Sequence, residues 1–132
     1  MPRVSAAFFT LSVTCLFIGM GWGMHMAKAQ DFAMAPAHAH LNLLGGVLSA
    51  IFGTFYALTK ETYSPRLAWI NLLLSAAALS IMIPLLAMLL QTNDEAKYGP
   101  IVGMASGIMV LSLLVFAISV LRELFRPSTS SG

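Results

Sequence analysis

Four long apolar stretches, over 4–26, 37–58, 67–90 and 101–121, occupy most of the chain, and polar residues are confined to the short pieces between them. Each stretch comes close to the roughly 20 residues an α-helix needs to cross about 30 Å of hydrocarbon. The pattern predicts an all-α integral membrane protein, a four-helix bundle folded as one domain over residues 1–126. A polar tail, 127–132, is expected to be disordered. Every Lys, Arg, Asp and Glu falls in a loop or at the end of a stretch, so no carboxylate or amine is left in the hydrocarbon to relay protons.

Composition supports this reading. The 132 residues are 58% apolar and 9% charged, and mean hydropathy is +0.84, outside the range of soluble globular domains. With a net charge of +2 and no basic run to track phosphates, nucleic acid is not expected as a partner. Cys15, the sole cysteine, cannot form an internal disulfide and reads as a small packing residue. No nucleophile–base pair, phosphate loop or paired carboxylates are present, so the chain is not expected to be a complete enzyme by itself. A four-helix multidrug exporter needs a carboxylate inside its first helix, and none is found there.

Arg3, an apolar run and Ala27-Lys28-Ala29 mimic a cleavable leader. The run is longer than a leader's core of about 7 to 15 residues, and Trp22 and His25 near its end suit a retained helix with an interfacial anchor. Four crossings put Arg3, Lys60, Arg66, Arg122 and Arg126 on one side and Lys28 and Lys97 on the other. The positive-inside rule then places both termini in the cytoplasm and His25, His38 and His40 outside it. For a bacterial inner membrane, that side is the periplasm.

The three histidines are the candidate chemistry. His25 ends the first stretch, and His38 and His40 open the second, so all three share one membrane face, where imidazole is costly unless it has a partner. Residues two apart on a helix are separated by about 200°, so His38 and His40 cannot hold one ion from a regular helix. Either Pro36 leaves His38 in a frayed first turn, or the two serve different partners. His40 is the better candidate for a ligand fixed by helix geometry.

His38, Asn42, Gly45, Ser49 and Gly53 form one stripe. Its small residues suit close helix packing, with a groove for a flat macrocycle as the alternative. Gly19 and Gly23, and Gly103 and Gly107, repeat the spacing. Met20, Met24, Met26 and Met34 cluster near the histidines and read as apolar filler, with soft-ligand chemistry as the alternative. Tyr56 and Asn71 read as helix-packing polar groups that could also reach a cofactor edge.

The run Ala35-Pro36-Ala37-His38-Ala39-His40-Leu41-Asn42-Leu43-Leu44-Gly45-Gly46, preceded by a Gly-rich helix and Asp31-Phe32, resembles the histidine-bearing helix of small four-helix proteins related to the catalytic subunit of haem-copper oxidases and nitric oxide reductases. The resemblance covers the first half of the chain; the second half matches only as generic hydrophobic helices. It implies b-type haem held near the outer face by one of the paired histidines. A full catalytic subunit has about twelve helices, which resemble three units of four, so it also implies a homotrimer. Three histidines in one copy are too few for both a low-spin haem and a haem-copper centre.

The expected function is a membrane haem b protein with a redox, electron-transfer or gas-sensing role. His40 is the leading axial ligand, His38 or His25 of this or a neighbouring copy completes or orients the coordination, and Asn42 is counted among the cofactor contacts. The alternatives are a zinc or copper site built from His25, His38 and His40, or a cofactor-free structural or assembly subunit.

Overall fold

The computed structural model describes residues 1–127 and contains α1 (Arg3–Ala29), α2 (Ala35–Leu58), α3 (Pro65–Thr92) and α4 (Glu95–Leu124), each long and apolar enough to cross a membrane. The chain is an all-α, four-helix membrane bundle. Apart from Pro127, the tail read over 127–132 lies outside the described residues.

The helices run beyond the apolar stretches because polar side chains cap them. Ser64 Oγ accepts the Leu67 amide at 3.3 Å to start α3, and Asp94 Oδ1 accepts the Lys97 amide at 3.2 Å to start α4. Such caps satisfy amides that have no intrahelical partner. The largest difference is at α4, which was expected from 101 and begins at Glu95, with Pro100 tolerated inside it. Gln30 and Asn93, with φ of 53° and 55°, take the left-handed conformation that ends α1 and α3.

Within α2, residues Leu41–Val47 widen into a π-helical segment. There the neighbours Gly45 and Gly46 are both buried against α1. A β-carbon on Gly45 would stand 2.6 Å from Cys15 Sγ, and one on Gly46 would collide with the Leu16 side chain. Ser12 Oγ donates across the interface to the Gly46 carbonyl at 2.7 Å. The Gly45, Ser49, Gly53 stripe is therefore filled by α1, and its role is packing within the chain. Gly103 and Gly107 differ: a β-carbon on either meets nothing within 4 Å.

The core has two parts. Toward the histidine end, Cys15, Leu41, Leu79, Met82 and Met109 pack together. Toward the termini, Phe8 lies 5.5 Å from Phe52 and 5.8 Å from Tyr56, ring centre to ring centre. Between these, the fully buried Asn71 joins three helices. Its Nδ2 donates to Tyr56 Oη at 3.0 Å, and its Oδ1 accepts from Ser112 Oγ at 2.6 Å and Ser75 Oγ at 3.2 Å. Tyr56 and Asn71 thus satisfy each other inside the bundle.

Candidate functional site

Pro36 sits in the first turn of the helix that carries His38 and His40, and the backbone is already helical at both histidines. The frayed-turn route for His38 is not taken: its amide donates to the Met34 carbonyl at 3.0 Å. The two rings consequently diverge, and each has a different neighbourhood.

His38 is half-buried against α1. Its Cε1 would lie 3.0 Å from a β-carbon on Gly23, so the glycine makes room for the ring. Asn42 Nδ2 stands 3.5 Å from His38 Nδ1 and 3.3 Å from Nε2. Near-equal approach to both ring nitrogens is a contact aligned with neither lone pair. The Asn42 carboxamide in turn fills the space where Gly19 lacks a side chain. Its Oδ1 is buried without a hydrogen-bond partner.

His40 is exposed on the outer surface of α2, with Nδ1 2.6 Å from the Pro36 carbonyl one turn earlier. A carbonyl oxygen only accepts, so Nδ1 is the donor in this contact, and Nε2 is the ring nitrogen left to coordinate. Metal-binding histidines commonly donate their other nitrogen to a carbonyl in this way, which fixes both tautomer and ring orientation. The ring lines a groove of about 280 Å³ between α2 and α4, together with Leu44, Leu48, Met82, Ser106 and Met109.

His25 is exposed near the end of α1. It shares the histidine end of the bundle but does not join the other two: among the described residues, no three His, Cys, Asp or Glu side chains converge closely enough to hold a metal. Of the methionines near the histidines, Met20 and Met24 are exposed and Met26 is buried. The thioethers that share the groove with His40 are Met82 and Met109, which the sequence does not single out. They lie on α3 and α4, far along the chain, and resemble any other apolar helix residue.

No known family model, curated protein or solved structure matches this chain. The resemblance to haem-copper oxidase catalytic subunits expected from residues 35–46, the Gly-rich first helix and Asp31-Phe32 therefore has no support from these comparisons.

A haem iron would need an oriented imidazole in an apolar setting; His40, with Leu44 and Leu48 beside it in a groove that Met82 and Met109 also line, has that chemistry. At about 280 Å³ the groove falls just below the usual range of about 300–1,000 Å³ for pockets that enclose a small molecule. A macrocycle on His40 would be only partly covered by one chain.

Proposed function

We propose that the chain is a membrane b-type haem protein in which His40 Nε2 is an axial ligand. The observation that carries this reading is the 2.6 Å contact between His40 Nδ1 and the Pro36 carbonyl, which prepares the ring to coordinate on the side away from its own backbone. Bound haem would supply one-electron or gas-binding chemistry. The chain's part is to orient the imidazole, wall off water with Leu44, Leu48 and Met109, and hold the site near the membrane boundary. The partial cover from one chain favours a homo-oligomer, and a homotrimer would bring together about twelve helices. The positive-inside rule favours cytoplasmic termini, which in a bacterial inner membrane would turn this end toward the periplasm.

Met82 and Met109 in the groove that His40 lines favour a second reading, a copper site, because thioether with imidazole suits cuprous copper. Zinc is less well served by this set.

The test is an absorption spectrum and elemental analysis of protein purified from haem-replete cells. Haem binding predicts a Soret band and stoichiometric iron, both lost in His40→Ala and kept in His25→Ala. Copper without iron would move the assignment to the second reading. Colourless, metal-free protein would leave a structural or assembly subunit.

A further inference from the structure

At the end of the bundle opposite the histidines, the α2–α3 loop meets the last turn of α4 around a cavity of about 330 Å³. Arg122, Arg126, Thr62 and Ser64 line its polar side, and Phe55, Tyr63 and Phe125 its apolar side. The one carboxylate in the lining, Glu123, is already engaged: Thr62 Oγ1 donates to Oε2 at 2.7 Å, and Arg126 Nη1 lies 3.7 Å from Oε1. That is the one ion pair among the described residues, so Arg122 has no carboxylate partner there. Ser64 Oγ accepts the Leu67 amide, which leaves its hydroxyl proton free to donate. Guanidinium groups with neighbouring hydroxyls are phosphate-binding chemistry.

A second, apolar cavity of about 550 Å³ lies next to the first. Phe55 lines both. The groove continues past Phe116, Ile51 and Val47 to Gly46. From Leu58 to Gly46, α2 rises about 18 Å, close to the roughly 15 Å of hydrocarbon in one leaflet. A free anion would fill the basic end alone, and any hydrocarbon tail the apolar end alone. One amphiphile fills both.

We propose that this seam of α2 and α4 binds an anionic glycerophospholipid, its phosphate on Arg122 and Arg126 and one acyl chain along the groove past Phe55 and Phe116. The charge around it selects anionic over zwitterionic lipid: Arg3, Lys60, Arg66, Arg122 and Arg126 share this end with only Glu61 and Glu123. The site lies at the other end from His40 and holds whether or not haem is bound.

The test is native mass spectrometry of the full-length protein in neutral detergent, with phosphatidylglycerol and phosphatidylcholine of identical acyl chains. Phosphatidylglycerol is expected to be retained about tenfold more strongly. The Arg122→Gln/Arg126→Gln variant, with its helix content checked by circular dichroism, is expected to lose that preference while its phosphatidylcholine binding stays the same. Lys28→Gln/Lys97→Gln, at the opposite end, should keep it. Equal retention of the two lipids by the unaltered protein, a comparison that needs no variant to fold, overturns the proposal. So does a preference that survives the double arginine substitution, or displacement of the lipid by millimolar inorganic phosphate, which would mark a small-anion site.

Discussion

Gly19 and Asn42 fit together as space and filling: a β-carbon at position 19 would overlap the Asn42 carboxamide. The contact ties α1 to the helix that carries the histidines. Gly19→Ala should therefore push the helices apart and destabilise the bundle by about 1–3 kcal/mol, the usual cost of overpacking. Gly21→Ala is the control, because a β-carbon there meets nothing within 4 Å. Unfolding of both variants in mixed micelles would show it, and equal stability would mean that Asn42 moves aside freely.

Asn71 is expected to matter more than its neighbours, since it makes three side-chain hydrogen bonds to Tyr56, Ser75 and Ser112. Hydrogen bonds between membrane helices average about 0.6 kcal/mol each. Asn71→Leu should cost about 1–2 kcal/mol, and Ser75→Ala less, because Ser112 still reaches Asn71. The check is the order of unfolding midpoints for the two variants at unchanged helix content.

Ser12 holds the wide turn of α2 from outside by donating to the Gly46 carbonyl. Ser12→Ala should leave the helix count intact, lower stability by about 0.5–1 kcal/mol and speed amide hydrogen exchange over residues 41–47. Unchanged exchange there would show that the widened turn persists without the hydroxyl.

Gly107 faces open space, so Gly107→Leu should leave the single chain as stable as before, or more so by about 1 kcal/mol from helix propensity. If copies associate through this face of α4, the same change should lower the oligomer population in native mass spectrometry. A full oligomer population would place the contact on another face.

The four spans were legible because every charge was excluded from them, a constraint the bilayer imposes locally on each stretch. The helix ends were less so. Apolar counting stopped at 101, whereas Asp94 and the buried Tyr98 extend α4 back to Glu95. Helical rotation made the divergence of His38 and His40 one of two options, and the His38 amide bond to the Met34 carbonyl decides for it over a frayed turn. Their neighbours were not legible: Gly19 and Gly23 could be recognised as small residues, but that they accommodate Asn42 and His38 depends on how α1 and α2 pair. The π-helical turn also lay beyond sequence periodicity, because its two glycines and the Ser12 contact become favourable only once α1 is in place. Met82 and Met109 line the same groove as His40 through the packing of distant helices, which no local pattern encodes.

The wider winding of Leu41–Val47 gives the two ends of α2 separate azimuths. The tip sets where His40 looks out, while the base independently sets where Phe52 and Tyr56 look in. Excising one residue from that turn would swing the tip by about 100° and carry the imidazole off the wall it shares with Met109, while the aromatic base kept its seat.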